Sequence, residues 1–175
     1  MIPRSRMHLS FTEKEERLGQ AGLRELGVPV GAPFVCLHAR DMEYKGGDTG
    51  HEWSAHLNQD ERLHGYRNTS ISNYVPAAEE LVQRGYFVIR MGAVVNEPLK
   101  TTNPMIIDYA TVARSDFMDI FLCAKCSFYL GGTAGLNAVP RIFRRPVVYD
   151  NSIPLCEDQL LACVPGGLLI PKKLW

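Results

Sequence analysis

Short, nearly continuous apolar runs alternate with amphipathic helical patterns along this chain, and this alternation limits the possible folds more than any other feature. A strand that helices cover on both faces is apolar along its whole length rather than at every second residue. Strands and helices that alternate in short units favour a parallel sheet. The sequence therefore predicts an α/β domain with a Rossmann-like parallel sheet of about five strands and helices on both faces. The apolar runs lie at 33–39, 86–91, 105–108, 127–130 and 146–149.

Capping residues mark the first predicted helix. Thr12 and Glu15 match a capping box, so the helix is expected to begin there and to stop at Gly27. Leu18 is expected on its inward face. Two internal glycines lower its intrinsic helix propensity.

Further helices are predicted between the later strands. One spans 76–85, and its proline suits the first turn of a helix. Ser115 or Asp116 is expected to cap the next helix, with Ile120 facing the core. The last spans 134–143, and an internal proline is expected to kink or shorten it.

The charge balance excludes several classes of partner. Lysine plus arginine equals aspartate plus glutamate, 19 each, so the formal net charge is zero. No basic excess draws the chain to nucleic acid, and any anion must be bound by locally placed arginines.

No apolar run approaches the roughly 18 residues of a membrane span. The first residues lack the apolar core of a secretory signal, so we expect a cytoplasmic protein, at the inner face of the membrane if it acts there.

The five cysteines do not form a disulfide framework. Cys123 and Cys126 have C-x-x-C spacing but lie at the end of an apolar helix, and Cys156 and Cys163 provide no second pair of this kind. We therefore expect buried, unbonded thiols and no metal site.

Residues 40–73 lack regular patterning and are too many for a neutral connection inside a compact domain. This predicts a functional loop. His51, His56 and His64 lie within it, but their spacing fits no compact zinc pattern. Sugar contact and simple loop packing both remain open for this aromatic and polar segment.

Polar residues follow each predicted strand at its carboxyl end. Ligands of open parallel sheets bind at this edge, where the strand order switches. The glycine-rich turn at 131–135 matches neither the dinucleotide fingerprint nor the P-loop, but a small-residue turn at a helix start suits phosphate. The residues at the strand ends are His38, Arg40, Asp41, Arg90, Gly92, Asp108, Gly131, Gly132 and Thr133.

Structural roles are alternatives for several of these side chains. Arg40 and Arg90 either form ion pairs with Asp41 and Asp108 or clamp a diphosphate, for which the planar guanidinium is well suited. His38 is either a hydrogen-bonded residue at a strand end or a base or donor near a reacting sugar.

Six segments in order resemble a bacterial group of glycosyltransferases. The His38–Arg40 segment also looks like the H-x-R segment of the fucosyltransferase superfamily, in which the arginine binds the donor's diphosphate. The fuller H-x-R-x-G-x-D pattern is not met, because Met42 to Tyr44 follow Asp41, so GDP-fucose is one candidate donor among others. The resemblance runs from about Ser10 to Lys173. Its segments are 38–41, 66–68, 90–92, 107–110, 114–120 and 131–135.

The resemblance implies the donor-binding half of a two-domain GT-B enzyme that transfers a sugar from a GDP- or UDP-linked donor to a glycan or glycolipid acceptor. No cofactor is implied besides the donor substrate. Residues 1–175 are then a single nucleotide-sugar-binding domain, cut from a longer enzyme that supplies a second domain. The alternatives are a non-catalytic nucleotide-sugar-binding domain and a nucleotide-sugar epimerase of similar fold. The implied catalytic residues are His38, Arg40 and Asp41, and the implied donor-binding residues are Arg67, Asn68, Arg90, Gly92, Asp108, Ser115, Asp116, Gly131, Gly132 and Thr133.

Overall fold

A computed structural model describes residues 7–40, 65–152 and 166–173. Its centre is a six-stranded sheet in which all neighbouring strands are parallel. The strands are β1 (Phe34–His38), β2 (Phe87–Arg90), β3 (Ile106–Ile107), β4 (Phe128–Gly131), β5 (Val147–Ser152) and β6 (Leu168–Pro171).

The strand order is β3-β2-β1-β4-β5-β6, which is the order of a doubly wound Rossmann-like sheet. The predicted fold class is therefore confirmed. The sheet has one strand more than the apolar runs predicted, because β6 was not recognised. The order reverses between β1 and β4, so this is the switch point at which such sheets bind ligands.

Both faces of the sheet are buried, as the continuous apolar runs predicted. Neighbouring residues of β1 belong to different cores: Cys36 packs into one apolar cluster and Leu37 into the other. The same alternation places Ile89 of β2 in the first cluster and Val88 in the second. Because successive side chains of a strand point to opposite faces, helices must cover both sides.

The helices are α1 (Glu13–Glu25), α2 (Val75–Gln83), α3 (Tyr109–Val112), α4 (Asp116–Lys125) and α5 (Ala138–Ile142). The predicted capping box is present: the Glu15 N–H donates to the Thr12 hydroxyl, and the Thr12 N–H donates to the Glu15 carboxylate. No helix in the described residues is long and apolar enough to cross a membrane.

The glycines of α1 make close packing against α4 possible. A Cβ at Gly19 would lie 2.2 Å from a ring carbon of Phe121, and one at Gly22 would lie 2.6 Å from the sulfur of Met118. The expected inward positions of Leu18 and Ile120 are wrong, since these side chains are 55% and 45% exposed. The contact face of α1 is centred on its glycines, a face that a search for large apolar residues overlooks.

The segment after β4 is a broken helix. A 3₁₀ turn covers Gly135–Asn137, and the five-residue α5 follows it. The proline expected to shorten this helix, Pro140, lies within α5 and is buried.

Candidate functional site

A cavity of about 720 Å³ opens at the carboxyl ends of β1 and β4, at the switch point of the sheet. This volume lies in the ordinary range of small-molecule sites. The strand register brings the predicted strand ends to one edge of the sheet: His38 pairs with Gly131, and Leu37 pairs with Arg90. The predicted clustering of strand ends at one edge is confirmed. The cavity is lined by residues 38–40, Arg67, 92–95, Arg114, Asp119 and 133–136.

The glycine-rich turn owes its shape to a close approach between two strands. A Cβ on Gly131 would lie 2.3 Å from the carbonyl oxygen of His38. Gly131 and Gly132 are buried and do not line the cavity, whereas Thr133 to Leu136 do. The Oγ1 atom of Thr133 is buried and has no hydrogen-bond partner among the residues that the structure describes. The turn therefore presents an unused hydroxyl at the cavity wall.

Arginines dominate the charge of the cavity wall. Arg40, Arg67 and Arg114 line the cavity, and Asp119 is the carboxylate among the lining residues. The Nε atom of Arg67 is buried without a hydrogen-bond partner in the described part of the chain. Its guanidinium carbon lies 6.0 Å from the centre of the Tyr66 ring, at the limit of a cation–π contact. The cavity therefore suits an anion.

Arg114 and Asp119 were not predicted as site residues. The Nε atom of Arg114 donates to Oδ2 of Asp119 at 3.0 Å, and the Tyr109 hydroxyl lies 3.0 Å from Oδ1 of the same carboxylate. Burial alone would lower the pKa of Arg114, but the carboxylates of Asp119 and Asp116 raise it overall. Burial and the nearby Asp119 raise the pKa of Tyr109. This network holds a charged arginine at the wall of the cavity.

Ser115 and Asp116 lie away from the cavity. The Ser115 hydroxyl caps α4 by accepting the N–H of Met118 at 3.3 Å. Asp116 is 89% exposed and forms an ion pair with Arg114. Ser115, not Asp116, is thus the cap, and the structure does not bring these two predicted donor-binding residues to the site. The segment was recognised from sequence, but its neighbours Arg114 and Asp119 are the residues that reach the cavity.

Arg90 and Asp108 form a buried ion pair. Nη1 of Arg90 donates to Oδ1 of Asp108 at 2.9 Å, and Oδ2 of Asp108 accepts the N–H of Leu99 at 2.8 Å. Of the two roles predicted for Arg90, the ion pair with Asp108 is therefore the one that the structure shows. Arg90 does not line the large cavity. It lines a smaller one of about 350 Å³, together with residues 68–71, Asn96 and Glu97.

Some predicted features lie outside the described residues. Asp41 and most of the predicted loop, including His51, His56 and His64, belong to this part of the chain. In the part of the predicted loop that the structure describes, Arg67 lines the large cavity and Asn68 the smaller one.

The predicted burial of Cys123 and Cys126 as unbonded thiols is confirmed. Cys123 and Cys126 are buried and free, as is Cys36. Within the described ranges, no cluster of three or more histidine, cysteine or acidic side chains is arranged to hold a metal ion. Cys156 and Cys163 lie outside these ranges.

Asp150 lies behind the glycine-rich turn, at the end of β5. Its backbone oxygen is the nearest atom, at 3.6 Å, to a Cβ built on Gly132. Burial raises the pKa of the Asp150 carboxyl group, and the Tyr74 hydroxyl offsets this only in part. The backbone of β5 at Asp150 therefore lies next to the turn, and the Asp150 side chain is partly buried.

Comparison with solved structures identifies a similar fold in a glycosyltransferase. The structure of the E. coli ADP-heptose lipopolysaccharide heptosyltransferase II superposes on 97% of this chain with a TM-score of 0.57 and 17% sequence identity. The chain spans 46% of that enzyme. No protein-family model and no curated protein sequence matches the chain. The predicted likeness to one half of a GT-B glycosyltransferase is thus confirmed for the fold.

Proposed function

We propose that this chain is the nucleotide-sugar-binding half of a glycosyltransferase and that its large cavity holds the donor's diphosphate. The observation that carries the proposal is the juxtaposition of Arg67 and Thr133 on this cavity. Both present buried polar atoms without partners among the described residues, on a wall rich in arginine. Buried donors without partners are costly, so a ligand that accepts their hydrogen bonds is the simplest account of them.

The position of the cavity supports a nucleotide ligand. Doubly wound sheets bind nucleotides beyond the carboxyl ends of their strands, at the switch in strand order. This cavity lies at the switch between β1 and β4. The net charge of the chain is zero, so the attraction for a diphosphate has to come from these local arginines.

The arrangement suits the leaving diphosphate of a sugar transfer. Negative charge grows on this group as the bond to the sugar breaks, and fixed guanidinium groups stabilise that charge. Arg40 and Arg67 are proposed for this role, and arginine is well matched to phosphate oxygens. His38, on the same wall, is proposed as the base or hydrogen-bond donor near the reacting sugar. Asp41 remains a predicted catalytic residue outside the described part of the chain.

Transfer is proposed to need a second domain. The chain covers less than half of the heptosyltransferase that it resembles, and the acceptor is proposed to bind to the part that this chain does not cover. The proposed acceptor is a glycan or glycolipid at the inner face of the membrane, and the proposed donor is linked to GDP or UDP. Metal-independent transfer belongs to this proposal, because arginines supply the positive charge that a metal ion supplies in other enzymes.

Calorimetric titration tests the proposal. UDP and GDP are expected to bind, and uridine and guanosine to bind at least about tenfold more weakly, because charge-assisted hydrogen bonds to phosphate are worth more than neutral ones. Comparison of ADP with UDP and GDP tests whether the site distinguishes the base. Equal binding of the nucleosides and their diphosphates, or binding of neither, would contradict the proposal.

A further inference from the structure

The smaller cavity is a neighbour of the large one and has a different chemical character. Neighbouring residues of the same two chain segments line the two cavities. Arg67 lines the large cavity and Asn68 the smaller one. Likewise, Val95 lines the large cavity and Asn96 the smaller one. The smaller cavity, of about 350 Å³, is therefore lined by the immediate chain neighbours of residues that line the large one.

Arg90 has a buried donor, Nε, without a partner among the described residues at this smaller cavity. Its side chain is only 1% exposed, and Nη1 donates its one hydrogen bond within the described residues, to Asp108. Its Nε atom is buried without a partner there. A guanidinium carries five N–H donors, and leaving them unsatisfied in a buried position is unfavourable. The ion pair with Asp108 thus accounts for only part of its hydrogen-bonding capacity.

Hydrogen-bond acceptors also line the smaller cavity. The Oδ1 atom of Asn68 is buried and without a partner in the described part of the chain. Ser70 donates to one carboxylate oxygen of Glu97, which leaves the second oxygen for a ligand. A carboxylate disfavours a phosphate group by charge repulsion but accepts hydrogen bonds from hydroxyl groups.

The lining of the smaller cavity therefore mixes a guanidinium, a carboxylate, amides and hydroxyls. A ligand that both donates and accepts at several positions fits such a set, and an anion does not. We propose that the smaller cavity binds the hydroxyl groups of a sugar, with Arg90 as donor and with Asn68 and Glu97 as acceptors. The link between this sugar and a diphosphate in the large cavity rests on the proposed function, but the recognition of hydroxyl groups by the smaller cavity does not.

Nuclear magnetic resonance titration of the isotope-labelled chain tests the proposal. The probes are glucose, mannose and fucose, followed by UDP-glucose and GDP-mannose. The side-chain amide resonances of Asn68 and Asn96 report on the smaller cavity, and the backbone amide of Gly135 reports on the large one. At least one probe sugar is expected to shift the Asn68 and Asn96 signals in a saturable way without shifting the Gly135 amide resonance.

A matched variant sharpens the test. Glu97→Gln keeps the size of the side chain and is expected to weaken sugar binding about tenfold, since it replaces a charged acceptor by a neutral one. Bare UDP and GDP should bind this variant as they bind the wild type, and its urea midpoint should be unchanged.

The outcomes separate the two proposals. If no free or nucleotide-linked sugar shifts Asn68 or Asn96, or if Glu97→Gln leaves sugar affinity unchanged, the sugar site is refuted. If UDP and GDP leave Gly135 unshifted, the proposed function fails, whatever the smaller cavity does. Shifts of Gly135 alone support the diphosphate site and overturn the sugar site.

Discussion

The guanidinium of Arg90 and the carboxylate of Asp108 are joined by a 2.9 Å hydrogen bond at the ends of β2 and β3, where they are 1% and 12% exposed. Such a pair is a weak source of net stability, because both charges have lost their hydration. Breaking it, however, leaves one buried charge without its partner. The pair therefore fixes the position of Arg90 at the smaller cavity.

Replacing Asp108 with alanine is expected to destabilise the fold by about 3 to 5 kcal/mol, because it leaves the buried Arg90 guanidinium uncompensated. Urea unfolding measures the change. Arg84→Ala is the control, since Arg84 forms an exposed ion pair with Glu80 on one face of α2, and its loss should cost less than about 1 kcal/mol. Equal effects of the two substitutions would show that the buried pair is not special.

Gly19→Ala is expected to lower the stability of the protein, whereas a glycine-to-alanine change in a helix usually raises it. Alanine normally favours a helix by roughly 0.5 to 1 kcal/mol, but here its Cβ would lie 2.2 Å from the Phe121 ring. We expect a loss of stability of about 1 to 3 kcal/mol. In a Phe121→Leu background the same change should cost less. A stabilised single variant would disprove the close contact between α1 and α4.

Gly131→Ala is expected to destabilise the protein and distort the large cavity. The new Cβ would meet the backbone oxygen of His38 at 2.3 Å, and backbone cannot rotate away as a flexible side chain can. Gly65→Ala is the matched control, since a Cβ there would meet no atom of the described residues within 4 Å. Thermal melts of both variants compare the costs. Similar melting temperatures would argue against the tight β1–β4 contact.

The raised pKa of Asp150 predicts a pH-dependent stability difference. Burial favours the protonated carboxyl in the folded state. The stability that this group contributes is therefore fully present at pH values below its ordinary pKa, and it is lost as the pH rises through the raised pKa of the folded state. An Asp150→Asn variant should therefore gain stability over the wild type as the pH rises from about 4 to 7. Urea midpoints across this range measure the difference, and Glu13→Gln controls for the loss of one exposed charge. A difference that is constant or shrinks over this range would contradict the expectation.

The sequence predicts five of the six strands, and the one that it misses is the edge strand β6. Val35 to Leu37 form an uninterrupted apolar run because β1 is covered on both faces, and such runs are easy to recognise. The edge strand β6 begins with an apolar run of its own, Leu168 to Ile170, but Pro171 follows this run directly within the strand. A proline also argues against a central strand, although it is tolerated at an edge.

The site is predictable where it follows from strand ends and not where it depends on helix geometry. His38, Arg40 and Thr133 follow β1 and β4 directly, and the rule for parallel sheets places them at one edge. Arg114 precedes α4 rather than following a strand, and Asp119 lies one turn inside that helix. Only the packed position of α4 brings them to the cavity, and spacing along the chain does not encode that position.

The binding of nucleoside diphosphates to arginine variants tests the central claim most directly. Calorimetric titrations with UDP and GDP compare the wild type with Arg40→Ala and Arg67→Ala, and Arg84→Ala on the surface of α2 is the control. Each cavity variant is expected to lose about 2 to 5 kcal/mol of binding free energy while its thermal melt stays that of a folded protein. Arg40→Lys should also bind more weakly, because lysine keeps the charge but loses the forked geometry. If well-folded Arg40→Ala and Arg67→Ala variants bind both diphosphates as tightly as the wild type and Arg84→Ala do, the large cavity is not the diphosphate site.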